Sequence, residues 1–398
     1  MKSAVAITQE IDNLELASKE LASQIKEKLS LCSHSIGIAY CDADVDVARF
    51  GELMHAELCI DIVGTTTTAT VERHTGYSDT GITLCVLTSD DVSIAVGSAD
   101  DLSNDNFSES IRNAYNEVHG IIQGKPDFIL AFAPYIADLT SENYVEVLDE
   151  ASGGTPVFGG VATDHWELQH QKVFFNGKAF SRGLVFVLLR GNIKPVFAMR
   201  HSFGGGVERK GKITESSGNL IHKVGEQTFK EYLAEIVPVP DEDLVIYHFQ
   251  STPFVMELPD YGHNEQPVVR ALCTIDHKTG AGGFLSKMPE GSLIHIDIIQ
   301  KDNLIESCNS AMDDIVNEMA AGTNYEYSTI FVSTCNARHL IMSGTNDMES
   351  SILSEKLKSC PASLNAVGYY GFGEICPTTS DDKIKNRFHN ISFAVCAI

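Results

Sequence analysis

Apolar positions along this chain switch repeatedly between helical and strand spacing. Between residues 8 and 29, Ile11, Leu14, Leu16, Leu21, Ile25 and Leu29 fall at mostly helical intervals. Acidic residues crowd the first turns of that stretch, where the helix dipole favours them, so an amphipathic helix is expected against a sheet. Residues 36–40 then read as a strand, 45–58 as a helix and 59–64 as a strand closed by Gly64, a β-α-β alternation. Strands at 82–88 and 92–96, a helix at 107–122, a buried strand at 128–132 and a helix at 144–150 continue it. Asn176-Gly177 between short apolar runs predicts a hairpin over 173–180, followed by strands at 184–189 and 195–200.

At 236–243 the composition turns proline-rich and acidic, which marks a seam between two halves. Beyond it the pattern predicts strands at 244–249, 268–275 and 292–299, a helix at 302–321 and a strand over 327–334. No internal repeat or low-complexity tract interrupts the alternation, and 398 residues suffice for two domains.

Charge narrows the partners. Lys and Arg number 29 against 54 Asp and Glu, a formal net charge of -25 that repels phosphate backbones, so no nucleic acid is expected. Apolar runs are strand-sized, well short of the roughly 20 residues a spanning helix needs, so no membrane partner is expected either. The first residues lack the sustained apolar stretch of a signal peptide, and the 10 cysteines form no Cys-x-x-Cys pair, which together predict a cytoplasmic protein with reduced thiols.

Few catalytic motifs survive inspection. Gly206 to Gly211-Lys212 approaches a phosphate-binding loop, but Ile213 stands where a hydroxyl residue would hold magnesium. Gly204-Gly205-Gly206 then reads as a tight loop. Cys335 is a candidate nucleophile with His339 or His389 as base and Glu374 as orienting carboxylate, against the plainer reading of a packed thiol. The 14 histidines show neither H-x₃-H nor H-E-x-x-H spacing, which leaves a zinc site weakly supported.

Three patches near the C-terminus carry more information: Ser333-Thr334-Cys335-Asn336-Ala337-Arg338, Gly368-Tyr369-Tyr370-Gly371-Phe372-Gly373-Glu374-Ile375-Cys376-Pro377, and Phe388-His389-Asn390-Ile391-Ser392-Phe393. Together they resemble the FIST family, named for F-box and intracellular signal transduction proteins. Ile62-Val63-Gly64-Thr65-Thr66-Thr67, Pro156-Val157-Phe158-Gly159-Gly160 and Met288-Pro289-Glu290-Gly291 are similar to further family segments, so the resemblance spans nearly the whole chain. It implies a mixed α/β (α+β) fold of two packed, sheet-containing halves with flanking helices. An N-terminal helix would occupy 1–30, a FIST N-type domain 31–227 and a FIST C-type domain 228–398.

The chain departs from the family at Thr67-Thr68-Ala69-Thr70 and at Met199-Arg200-His201-Ser202, where an imidazole ends a strand. With no appended kinase, cyclase or F-box segment, it resembles stand-alone bacterial members that bind haem b and sense nitric oxide for a sensor histidine kinase or cyclic-dinucleotide enzyme. On that resemblance His201 is the expected proximal ligand, with His222, His165 and His263 as rivals and Arg200 and Arg209 as propionate partners. The alternative is a haem-free sensor of amino-acid-like molecules. There Arg270 and Arg338 would clamp a carboxylate, Glu374 would take an ammonium, and His389 and Asn390 would complete the hydrogen bonds. An Arg338–Glu374 ion pair joining two strands is the structural reading of the same residues, and a Cys335-dependent hydrolase is the third functional one. A homodimer stays open.

Overall fold

The computed structural model describes residues 1–206, 209–259, 267–321, 325–342, 345, 347–380 and 383–398. Its elements group into three six-stranded sheets and one eight-stranded sheet. The first sheet runs Lys2–Thr8, Ile82–Thr88, Ser35–Asp42, Asp61–Thr67, Val173–Phe175, Lys178–Phe180. Its parallel pair Ser35–Asp42 and Asp61–Thr67 is joined by helix Val47–Leu58, the β-α-β unit that the alternation predicts. Helices Leu14–Lys28 and Val47–Leu58 cover one face, where Leu21, Ile25, Phe50 and Met54 pack on Ile62 and Leu84.

The second sheet orders Lys383–His389, Glu374–Ser380, Val157–Val161, Phe128–Ala133, Leu184–Gly191 and Val92–Ala99, with helices Phe107–Ile122 and Ser141–Ser152 outside it. The third orders Val196–His201, Ser392–Ala397, Thr329–Cys335, Asn365–Gly371, Thr70–Glu72 and Gly76–Ser78, backed by helices Lys301–Ala321 and Met348–Lys356. Between these three sheets lies a shared core in which Tyr40 stacks on Tyr369 at 4.9 Å and Phe132 meets Tyr369 edge-on at 5.9 Å. Burial of that apolar surface is the main favourable term in the fold. The fourth sheet, Val268–Arg270, Phe254–Glu257, Leu293–Ile296, Gly211–Ser217, Leu220–Val224, Gly282–Phe284 and Leu272–Ile275 with the short strand Gln227–Thr228 beside Leu220–Val224, encloses its own core around Phe229, Phe254 and Phe284. No described helix is long and apolar enough to cross a membrane.

The chain interleaves its two halves. Val196–His201 pairs antiparallel with Ser392–Ala397, Thr70–Glu72 with Asn365–Gly371, and Glu374–Ser380 with Val157–Val161. The C-terminal segment is therefore built into the second and third sheets alongside strands from the first half of the chain.

Two local expectations change. Residues 244–249 form no strand: Leu244 makes one bridge to Thr274 and the rest is turn. Val245, Ile246 and Phe249 are buried while Leu244 and Tyr247 are exposed, which is the spacing of a turn rather than the alternation of a strand. The N-terminal helix expected over 1–30 is corrected: the helix is Leu14–Lys28, and Lys2–Thr8 is a strand paired with Ile82–Thr88, whose consecutive buried Ala4, Val5 and Ala6 lack the alternation of a half-buried strand.

Gly159, in the Phe158-Gly159-Gly160 segment, holds φ +144° and would place a Cβ 1.9 Å from the carbonyl oxygen of Ala131 on the adjacent strand. Both backbone strain and the clash oppose any side chain there. Gly159→Ala should lower the unfolding free energy in urea by at least about 2 kcal/mol; a change within about 0.5 kcal/mol, the range of an innocuous surface substitution, would contradict this placement.

Candidate functional site

The three C-terminal patches occupy strand ends and turns that converge inside the molecule. Ser333 to Arg338 close strand Thr329–Cys335 and open helix Asn336–Ile341, and residues 388–393 turn from Lys383–His389 into Ser392–Ala397. At their centre Arg338 is fully buried, with 0% of its surface exposed. Its guanidinium donates to Glu349 at 2.8 and 2.7 Å, to the hydroxyls of Ser202 and Ser307 at 2.9 and 3.0 Å, and to the carbonyl of Leu304 at 3.0 Å. Thr334 donates to the other oxygen of Glu349 at 3.1 Å. The ion pair is thus with Glu349, and the expected Arg338–Glu374 pair does not form.

Glu374 is equally enclosed but lacks a cation. Its Oε2 accepts from the backbone N–H and hydroxyl of Ser392 at 3.1 and 2.6 Å, and its Oε1 has no partner. Burial pushes this carboxyl up to about 8. Asn390 accepts from Ser286 at 2.6 Å and donates to the carbonyl of His389 at 3.1 Å. Arg270 donates to the carbonyls of Val269 and Phe388 at 3.2 Å and faces Glu142 at 3.4 Å. The amino-acid clamp expected of Arg270, Arg338, Glu374, His389 and Asn390 is therefore not an open site, since these groups are buried and mostly satisfied by the protein itself. Of these five, His389 borders a cavity.

That cavity is a groove of about 610 Å³ along Val196–His201, the edge strand of its sheet. Helix Lys301–Ala321 contributes Asp314 to one wall, and the hairpin of Glu374–Ser380 and Lys383–His389 contributes Pro377, Ile384 and Arg387 to the other. His201 lies at the strand's end, 6% exposed, with its ring centroid 5.3 Å from that of His389. Neither nitrogen of His201 has a hydrogen-bond partner, although the backbone of Asn390 comes near. Burial, the neighbouring His389 and Arg270 hold His201 well below the usual imidazole range, so it is neutral. His389 donates from Nε2 to the carbonyl of Cys376 at 3.1 Å, which leaves Nδ1 as an unpartnered acceptor, and burial lowers it to about 3.

Other expected residues lie elsewhere. Arg200 does line the groove but is ion-paired to Asp314. Arg209 is not brought to His201: it pairs with Glu235 and sits over the ring of Tyr232 at 5.7 Å. His222 is held at 2.8 Å by Ser217 on a separate hairpin, and His165 is a half-exposed neighbour of Asp42 and Asp44 at 3.6 and 3.7 Å. His263 lies outside the described residues. Cys335 is 3% exposed, its thiol held well above the usual range by burial and Glu374. His339 bonds Tyr77 at 2.7 Å and His389 turns to Cys376, so no described hydrogen bond joins either imidazole to the thiol. Arg387 and His389 are the groove residues that sequence reasoning did not connect to His201. Pairing of the 374–389 hairpin against Val157–Val161, which presents them, has no local signal.

Two measurements follow. Arg338→Ala strands the Glu349 carboxylate in the interior and should cost about 3–5 kcal/mol, whereas Arg338→Met with Glu349→Leu should cost much less; equal losses in urea titrations would argue against the pair. For Glu374 the folded pKa of about 8 exceeds the ordinary 4.5. Its protonated form is therefore favoured by folding, a contribution fully present below about pH 4.5 and lost as pH rises through 8. Glu374→Gln should accordingly flatten the fall in stability across that window, and an unchanged slope would show that the carboxyl is ionised in the folded protein.

Family models match the chain in two consecutive stretches: the FIST N domain over residues 35–227 and the FIST C domain over residues 227–377. No curated protein matches significantly. Among solved structures, cyanuric acid hydrolase from A. caulinodans is 10% identical over 50% of this chain and 70% of its own, with a TM-score of 0.26. A second cyanuric acid hydrolase is 7% identical over 75% and 100%, at 0.28, and PurL from T. maritima, complexed with ATP, is 9% identical over 100% and 70%, at 0.22. Superpositions this loose carry no argument about this protein. The two family models do: in sequence order they span most of the chain, which belongs to the FIST family, whose domains are associated with signal-transduction sensing of small ligands.

Proposed function

We propose that this protein is a non-catalytic sensor whose ligand is haem b, held by His201 in the groove and responsive to nitric oxide. The observation that carries the reading is the imidazole at the groove's end: His201 is neutral, and neither ring nitrogen makes a well-formed hydrogen bond among the described residues, the Asn390 backbone coming near the ring. A neutral nitrogen of this kind is what haem iron takes as an axial ligand. Its cost, an unsatisfied buried polar group, is otherwise unexplained. When bound, haem would supply an iron coordination position for a diatomic gas.

The donor set and the space are compatible with this group. A groove of about 610 Å³ falls within the roughly 300–1,000 Å³ of small-molecule sites. Val196, Ala198 and Ile384 give it apolar walls, and Arg387 and Arg200 stand on opposite sides of it for carboxylate-bearing substituents, Arg200 sharing itself with Asp314. The ring nitrogens of His201 are sealed from solvent, so ligation requires the ring to turn outward into the groove. That turn would move the edge strand, and the change would pass by contact to a sensor histidine kinase or cyclic-dinucleotide enzyme, the partner class that the family resemblance implies.

The rival readings lose their donors. An amino-acid sensor built on Arg338 and Asn390 would have to break a buried and mostly satisfied interior, and a hydrolase built on Cys335 would lack an imidazole bonded to a thiol that burial and Glu374 hold well above the usual range. The deciding measurement is haemin titration of the purified protein. A Soret band should appear, shift on nitric oxide addition and disappear in His201→Ala, with His389→Ala perturbing but not abolishing it. Protein that stays colourless in haemin, or a band indifferent to His201→Ala, overturns the assignment.

A further inference from the structure

We propose that the cleft between the two halves of the chain is a second ligand site, built for an uncharged small molecule rich in hydroxyl or amide groups. The cleft encloses about 670 Å³ and is separate from the groove beside His201. Phe107, Tyr135, Thr140 and Asn143 form its wall on the first half, and Thr274 and Phe284 its wall on the second.

Thr140 is the residue that singles the cleft out. It occupies the N-cap of helix Ser141–Ser152, where a threonine hydroxyl ordinarily accepts from a backbone N–H of the first turn, yet its side chain makes no capping bond. The residue is 7% exposed, and its Oγ1, closed to solvent in this rotamer, has no partner among the described residues, so a ligand in the cleft reaches it by a turn of the threonine side chain. A buried hydroxyl that forgoes the cap available to it is a stored hydrogen bond. Among the described residues, the hydroxyls of Tyr135 and Thr274 and the amide of Asn143 also make no hydrogen bond, so donors and acceptors from both halves converge on one space.

The charges of the cleft specify the ligand class. Asp138 is paired with Arg182 at 3.0 Å and Lys287 with Glu146 at 2.6 Å, so both ionic groups on its lining are already neutralised. The helix N-terminus beside it is complemented by Glu142, which accepts from the Lys287 N–H at 3.1 Å and faces Arg270 at 3.4 Å. A charged ligand would be desolvated against no free counter-charge. An uncharged one can satisfy the hydroxyls and the amide while laying an apolar face on Phe107 and Phe284. Because the two walls belong to different halves, such a ligand bridges them, and this holds whether or not haem occupies the groove.

Thermal melting in the presence of uncharged monosaccharides (glucose, galactose, ribose) and cyclic amides (uracil, thymine, hydantoin), followed by calorimetric titration of any hit, tests the site. At least one probe should raise the melting midpoint by mass action. Thr140→Val, which keeps the shape and removes the hydroxyl, should weaken that probe about five- to tenfold. Ala137→Trp, at an exposed position on the cleft's rim, should abolish its binding while leaving the circular dichroism spectrum and haemin titration unchanged. The proposal falls if no probe of either kind binds, or if a bound probe is indifferent to both substitutions.

Discussion

Everything near the groove hangs on one buried ion pair. Burying a guanidinium and a carboxylate costs several kcal/mol per ion unless every remaining donor and lone pair is met. Arg338 and Glu349 meet that condition by recruiting Ser202 from the end of the edge strand, Leu304 and Ser307 from helix Lys301–Ala321, and Thr334 from the central strand. Five elements, counting the short helices that carry Arg338 and Glu349, are thereby fixed at one point. Ser202 follows His201 directly, so the same contact that satisfies Arg338 determines where the imidazole sits.

The contrast between neighbours is informative. Arg338 heads the largest fully buried side chains, and its guanidinium is hydrogen-bonded at every nitrogen; His201, next to the Ser202 that Arg338 holds, is buried with neither ring nitrogen in a well-formed hydrogen bond among the described residues. A fold that can satisfy a guanidinium so completely could have paid for an imidazole too, and the absence of a partner at His201 marks a position kept for something other than packing. Glu374 belongs to the same class, with one oxygen held by Ser392 and the other unmet. Both groups are neutral for the same reason, which is that the interior penalises their charged forms.

Local periodicity made the helices Leu14–Lys28, Val47–Leu58 and Phe107–Ile122 legible, as it did the β-α-β unit between them, because each buries one stripe against a sheet. The C-terminal patches were legible as a family marker for a related reason: strand ends with compact residues and polar neighbours are short-range patterns. What could not be read was who meets whom. Glu349, the partner of Arg338, lies on the next short helix, and no periodicity selects it over Glu374, which lies nearer to a strand end in the pattern. The pairing of His201 with His389 depends on Val196–His201 lying beside Ser392–Ala397, a register between the middle of the chain and its last residues. The same ignorance of pairing let 244–249 pass for a strand, since only burial at 245, 246 and 249 distinguishes it from one.

That long-range register also explains why the groove suits a sensor. Val196–His201 hydrogen-bonds to Ser392–Ala397 on one side and borders the groove on the other, so it is the strand of its sheet with the least holding it in place on the ligand side. Yet its end is not free, because Ser202 is tied through Arg338 to helix Lys301–Ala321. A group that draws His201 outward must therefore either break those bonds or carry the helix with it. Breaking them would leave a buried guanidinium short of a partner, which is the costlier outcome. In the proposed sensor, displacement at His201 would thus be channelled into a shift of the 21-residue helix Lys301–Ala321, whose Asp313 and Asp314 stand at the surface on ion pairs with Lys356 and Arg200. Exposed pairs of that kind are weak and exchange readily, so the helix can move at its outer face while its inner face stays anchored.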